Sequence, residues 1–228
     1  MDRFCPQCNS DDIVKYGVRV NKTGANSQRY FCNSCKKEFS IRDERGWDKE
    51  IRRAIVTPDK HFPYEDKPAI NALLKAIDLV KPSIYIDLGD TGEWESVSQW
   101  KWKRKKRPPL EYMIPEIEKE VAAVNSGMDL IDHALDRVKC DERHFIEGNH
   151  DNWLNRFVEG YPYLGQYRLK KAIKLDERGY TYHPFGKFLK IGKLHFYHGH
   201  QYGGQYHTAN HLRRLGCNIM YGHWHDLQ

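Results

Sequence analysis

The sequence predicts an α/β fold preceded by a small metal-stapled module, and three observations carry that prediction. Short apolar runs alternate with helical periodicity from residue 54 to residue 146, the pattern of a parallel sheet built from βαβ units. Five apolar runs end in residues able to ligate a hard or borderline metal. Ahead of them stand two Cys-x2-Cys pairs, Cys5-Pro6-Gln7-Cys8 and Cys32-Asn33-Ser34-Cys35.

Residues 1–40 read as a separate unit. Four thiolates at this spacing can close a tetrahedron round Zn²⁺, and the stretches 13–17 and 28–31 between them read as a hairpin. So small a unit has almost no core, so its metal would hold it folded. Residues 41–53 are polar and charged and read as a linker or a short exposed helix.

The larger domain, 54–228, opens with the strand 54–57, which leads to Asp59-Lys60-His61. Apolar residues at 70, 73, 74, 77 and 80 predict an amphipathic helix with Pro68 in its first turn and Pro82 beyond its end. The run 84–86 leads to Gly89-Asp90. Residues 110–138 have a helical pattern expected to bend or break near Asn125-Ser126-Gly127, and the strand after them delivers Gly148-Asn149-His150-Asp151. Short helices are expected at 153–158 and 167–175, strands of a second, antiparallel sheet at 180–183 and 188–191, and another strand at 195–197 leading to His198-Gly199-His200. A helix at 208–215 precedes the last strand, which leads to Gly222-His223-Trp224-His225.

Composition narrows the class. Of 228 residues, 39% are hydrophobic and 30% charged, and mean hydropathy is −0.81, so a core can form under a well-solvated exterior. No apolar run is long enough for a membrane span and the first residues lack the apolar core of a signal peptide, so a cytoplasmic location is expected. Six cysteines in such a chain point to a reducing compartment and to metal binding rather than disulfides. The net charge of +6 is local: Trp100-Lys101-Trp102-Lys103-Arg104-Lys105-Lys106-Arg107 alone holds six basic residues and no acid. That run reads either as a nucleic-acid contact or as a solvated loop.

The amino-terminal pattern Cys-Pro-x-Cys, Lys-Tyr-Gly, Gln-Arg-Tyr-x-Cys-x-x-Cys, then Phe39, resembles the zinc ribbons of insertion-sequence transposases. Such a ribbon reads nucleic acid, docks a protein partner, or is a passive staple. From 54 to 225, the order Asp-x-His, Gly-Asp, Gly-Asn-His-Asp, His-Gly, Gly-His-x-His resembles the calcineurin-like metallophosphoesterases. This second resemblance implies a four-layer αββα sandwich and two divalent metals, for which a mixed oxygen and imidazole set suits Mn²⁺, Fe or Zn²⁺. It places Asp59, His61 and His225 at the first metal, Asp90 as the bridging carboxylate, and Asn149, His198 and His223 at the second. Of the two candidates in His-Gly-His, the family pattern favours His198 over His200. His150 matches the residue that contacts the scissile phosphate and protonates the leaving oxygen, with Asp151 expected to orient its ring.

The implied chemistry is phosphodiester hydrolysis by a metal-bridging hydroxide. The stretch Gly89-Asp90-Thr91-Gly92-Glu93-Trp94 lacks the phosphate-gripping Arg of the protein phosphatases in that superfamily. With the ribbon, the basic run and three Trp at 94, 100 and 102 available to stack on bases, nucleic acid is the expected partner, DNA foremost. A phosphoesterase for small nucleotides with the ribbon as docking module is the alternative, and a non-enzymatic zinc-ribbon adaptor is a third reading. The chain stops three residues after His225, where related proteins continue into further strands, which suggests a truncated domain or an exposed last strand.

Overall fold

The computed structural model describes residues 5, 7–8, 10–20, 26–40 and 52–226, which fall into two compact units divided after residue 51. The expected linker at 41–53 lies outside the described residues except for Arg52 and Arg53.

In the amino-terminal unit, β1 (Ile13–Val20) pairs antiparallel with β2 (Asn26–Cys32), and β3 (Glu38–Ser40) adds antiparallel to β2. The strand ends bring Cys5, Cys8, Cys32 and Cys35 together, their sulfurs all within 4.8 Å. Cys5 Sγ lies 3.6 Å from Cys35 Sγ, and Cys8 Sγ lies 3.5 Å from Cys32 Sγ. A tetrahedral zinc site with bonds of about 2.3 Å has sulfurs about 3.8 Å apart, so this four-Cys cluster has the chemistry and size of a structural zinc site.

The larger unit is a mixed α/β structure around a parallel sheet. Strands β4 (Ala54–Thr57), β5 (Ile84–Asp87), β6 (Glu142–Ile146) and β7 (Tyr180–His183) lie in that order, all parallel. The connections are α1 (Lys67–Val80), α2 (Leu110–Arg137), and α3 (Asn149–Gly160) followed by the short α4 (Leu169–Ala172). A second sheet contains β8 (Leu189–Ile191) and β9 (Leu194–Phe196), which are antiparallel. After α5 (His207–Leu215), β10 (Asn218–Met220) joins β9 in parallel as an outer strand. Among the described residues no helix is long and apolar enough to cross a membrane.

Alternation along β5 divides the core. Tyr85 packs with Phe145 against the helix side, where Ile77, Ile117, Met128, Leu135 and Phe157 are buried. Ile84 and Ile86 face the other way, with Ile146, Leu189 and Phe196, and so join the two sheets. A strand buried on both faces reads as a continuous apolar run, and β5 is buried at all four positions. Each such large side chain contributes about 1.5–3 kcal/mol relative to exposure.

Three expectations need correction. The stretch 180–183 belongs to the first sheet, parallel to β6, because the Tyr180 ring joins the helix-side core and its hydroxyl donates to buried Asp132 at 2.9 Å. The helix pattern after 110 does not break at Asn125-Ser126-Gly127; α2 runs through it unbroken. There the Asn125 amide donates to the Ala172 carbonyl at 2.9 Å, and a Cβ on Gly127 would lie 2.4 Å from the Phe62 ring. Those residues serve helix docking rather than termination. Finally, α3 starts at Asn149, so His150 and Asp151 occupy its first turn, and α4 is shorter than the predicted 167–175, a 3₁₀ turn at Pro162–Tyr167 preceding it.

Candidate metal centre

The ligand-type residues leave the strands at their carboxyl ends, where parallel sheets open into a crevice. Asp59, His61 and His225 bring ligand atoms within 4.8 Å of one another, and Asp90, His198 and His223 form a second such group. Asn149 belongs to the second group, its Oδ1 lying 2.8 Å from His198 Nε2. All seven residues singled out as metal ligands from sequence therefore sit in two groups. The groups are tied by main chain: His223 N–H donates to Asp59 Oδ2 at 2.8 Å, and His61 N–H to the Asp90 carbonyl at 3.0 Å.

Half of the ten non-glycine residues with left-handed φ among those described belong to this set. Asp59, His61, Asp90, His223 and His225 have φ of 52°, 50°, 50°, 75° and 53°. Left-handed backbone costs a side-chain-bearing residue about 1–2 kcal/mol, and a loop under no other demand places glycine there. Strain gathered at one crevice is a mark of function. Close approach completes the arrangement, since a Cβ on Gly148 would meet the Asp90 Oδ1 at 2.2 Å. That contact lets the start of α3 reach Asp90, whose Oδ1 accepts from His150 N–H at 2.8 Å.

The donor set fits cations. In the first group, Asp59 Oδ1 and both ring nitrogens of His61 are buried without a hydrogen bond. Glu93 Oε2 does come within 2.8 Å of His61 Nδ1, but off the axis a hydrogen bond requires. In the second group, His198 Nδ1 faces the Leu88 carbonyl at 2.9 Å and must carry a proton there. Its Nε2 then turns toward Asn149 Oδ1, Asp90 Oδ2 at 3.1 Å and His223 Nδ1 at 3.2 Å. Four electron-pair donors converge there, and one proton can serve only one contact, so a cation satisfies them better. The carbonyl behind His198 is the supporting partner expected of a metal-binding imidazole.

Without a cation, charge is redistributed. Burial alone would disfavour charge on both members of the Asp90–His198 pair, but their mutual attraction outweighs it: Asp90 falls to about 2 and His198 rises to about 9. Burial, and after it the charge of His198, lowers His223 to about 4, leaving it neutral with a lone pair to offer.

His150 lies beside the first group, its ring 4.8 Å from that of His61 and 3.9 Å from that of Trp153. The expected orienting role of Asp151 is not what the structure places there. Asp151 is fully buried and accepts from Asp90 N–H at 2.8 Å, Gly148 N–H at 3.2 Å and the Trp94 indole N–H at 2.9 Å, so it fixes the two loops rather than the imidazole. Burial, with the charge of Asp90 next, pushes its carboxyl up to about 7. The ring is held instead by Glu93, whose carbonyl lies 2.9 Å from His150 Nδ1 and whose carboxylate lies 3.5 Å away. Glu93, His61 and His150 form a third ligand-type group. Sequence reasoning passed over Glu93, although its place three residues after Asp90 in the same turn was a usable signal.

His200 stands apart, stacked on Phe185 at 4.2 Å, while His198 enters the cluster. Lys60, between two ligands, is buried against Asp87 at 2.8 Å. The basic run is partly engaged. Lys101 pairs with Glu95 at 2.8 Å, Trp102 donates to the Ser96 carbonyl at 2.8 Å, and Arg107 donates to the Val97 carbonyl at 3.3 Å. Lys103 lies over the exposed Trp100 ring at 5.1 Å, and Arg104, Lys105 and Lys106 are exposed. Trp94 is fully buried and unable to stack on a base, which corrects that expectation.

The chain matches no family model and no solved structure. It is 23% identical over 192 residues to the Gene 54 protein of Mycobacterium phage D29, a stretch covering 76% of this chain and 69% of that protein.

Proposed function

We propose that the larger unit is a metal-dependent phosphoesterase of the calcineurin-like kind, with the four-layer sandwich that implies, and that it hydrolyses phosphodiester bonds in nucleic acid. One observation carries the reading: seven electron-pair donors from five strand ends converge in one crevice, five of them on left-handed backbone. Two divalent cations held by Asp59, His61 and His225 and by Asp90, Asn149, His198 and His223 would neutralise the phosphate and make water a nucleophile near neutral pH.

The remaining residues have work of their own. With Nδ1 facing the Glu93 carbonyl, His150 exchanges its proton at Nε2, the atom suited to protonate a departing oxygen. The Glu93 carboxylate, 3.5 Å from the same nitrogen, helps to fix which way the ring faces. Asp151 keeps Asp90 and the start of α3 in register through three N–H groups. Exposed cations at 103–106 support a polyanionic substrate over a mononucleotide.

The experiment is a panel of single-stranded DNA, duplex DNA, RNA and bis-p-nitrophenyl phosphate, incubated with the full chain and Mn²⁺ or Zn²⁺. Cleavage of a polymer, lost in a folded Asp90→Asn protein, is expected. A metal-loaded protein inert on every phosphodiester overturns the proposal, and one active only on small esters reassigns the substrate.

A further inference from the structure

A cavity of about 620 Å³, within the size range of small-molecule sites, is lined in part by Pro63 and Tyr64, which follow His61 along the chain, and by Glu95 and Ser96, which follow Glu93. Its inner wall continues from the chain that carries the cluster. Tyr64 N–H donates to the His61 carbonyl at 2.7 Å, and the Tyr64 hydroxyl donates at 3.1 Å to Glu95, two residues after Glu93. The other walls are Trp102 and, from one face of α2, Tyr112 and Glu120.

Three aromatic side chains thus border one cavity, and two are largely uncovered: Tyr64 and Tyr112 are each 66% exposed. Trp102 is half-buried and fixed by its bond to the Ser96 carbonyl. Ser96 in turn holds Glu120, its N–H donating to one carboxylate oxygen at 3.0 Å and its hydroxyl to the other.

The lining and the basic run beyond it differ in charge. The two lysines lining the cavity are neutralised, Lys101 by Glu95 at 2.8 Å and Lys119 by Glu116 at 2.7 Å, and Glu120 adds a further carboxyl. With three carboxyls against two paired lysines, the lining does not favour a phosphate. A flat ring edged with N–H donors gains stacking surface and acceptors together. The exposed cations that a phosphate does seek follow Trp102 directly, at 103–106.

We propose that this cavity receives an unstacked base of a single-stranded nucleic acid, whose backbone crosses residues 103–106 and whose adjoining phosphodiester reaches the ligand cluster. The inference rests on the phosphodiesterase reading and names its substrate class. A base paired within a duplex cannot enter without leaving its stack, so single strands bind in preference to duplexes.

Binding of single-stranded oligonucleotides to full-length Asp90→Asn protein, which does not consume them, is followed by fluorescence anisotropy across a salt series. Tyr112→Ala and Tyr64→Ala change exposed side chains, so folding is not at stake. Each should weaken binding roughly 5- to 150-fold, the range for one lost base stack, with the salt slope unchanged because no phosphate contact is lost. An abasic nucleotide walked along the strand should reach one position where its loss and that of Tyr112→Ala are not additive. Additive losses at every position, or tighter binding of duplex insensitive to Tyr112→Ala, overturn the proposal. Hydrolysis of bis-p-nitrophenyl phosphate by Tyr112→Ala protein with Asp90 intact separates the two readings. Full hydrolysis with additive losses removes the base site and leaves the phosphodiesterase, whereas base-dependent binding by a wild type that hydrolyses nothing does the reverse.

Discussion

His198 Nε2 lies 2.8 Å from Asn149 Oδ1, while Nδ1 of the same ring spends its proton on the Leu88 carbonyl. An amide oxygen and an unprotonated ring nitrogen do not attract each other. The pair meets either because a proton is forced onto Nε2 or because a cation stands between them. In the metal-free protein Asp90 supplies the first solution, and the proposed metal centre supplies the second.

That choice predicts a pH-dependent affinity. His198 is raised to about 9, so at pH 7 its ring carries a proton on each nitrogen, and a cation that takes the Nε2 lone pair must expel one. Affinity for Mn²⁺ or Zn²⁺ should therefore rise with pH, by up to about tenfold per unit below pH 9, and level off above it. Calorimetry in buffers of different ionisation enthalpy should register the released proton. An affinity that is flat from pH 6.5 to 9 contradicts the assignment.

Asp151→Ala should destabilise the larger unit severely. It strands the N–H groups of Asp90, Gly148 and Trp94 in a fully buried place, at about 1–3 kcal/mol for each group that finds no new partner. Asp151→Asn keeps an acceptor oxygen and should cost less. Urea denaturation measures both, and a loss below about 1 kcal/mol for the alanine variant refutes this role.

Gly127→Ala tests whether that glycine serves docking. Alanine is intrinsically the better helix former by about 1 kcal/mol, yet its Cβ would lie 2.4 Å from the Phe62 ring. Net destabilisation of about 1–3 kcal/mol in a denaturant titration is the expected result. Stabilisation would mean that the ring moves aside freely.

For the ribbon, Cys32→Ser should remove one equivalent of zinc per chain, and amide exchange within 13–20 and 26–40 should rise toward that of an unfolded segment. Unchanged zinc content and protection would show that the four sulfurs hold no metal.

The parts readable in sequence are those where residue type alone speaks. Cys pairs and Asp, Asn and His placed after apolar runs announce themselves, and the structure gathers Asp59, Asp90, Asn149, His198 and His223 from five separate strand ends. What sequence did not yield depends on surroundings. Trp94 looks like the other tryptophans of its stretch, but only a fold shows its indole N–H buried against Asp151. Asn125-Ser126-Gly127 has the local chemistry of a helix end, overridden by contacts to Ala172 and Phe62 from distant parts of the chain. Strand Tyr180–His183 carries nothing to say which sheet it joins; a buried bond from Tyr180 to Asp132 does. Glu93 offers sequence only a weak signal, its place three residues after Asp90, since a single glutamate after a turn is usually solvated; its approach to His61 and His150 is what marks it out.

The most direct test is hydrolysis of bis-p-nitrophenyl phosphate while Mn²⁺ is titrated into full-length protein whose ribbon is already loaded with zinc. Activity that saturates with two added metals per chain, and that falls by more than about 100-fold in a folded Asn149→Ala protein, is the expected result, since even a supporting partner of a ligand is worth 10–100-fold. Full metal loading without hydrolysis, or hydrolysis indifferent to Asn149→Ala, would contradict it.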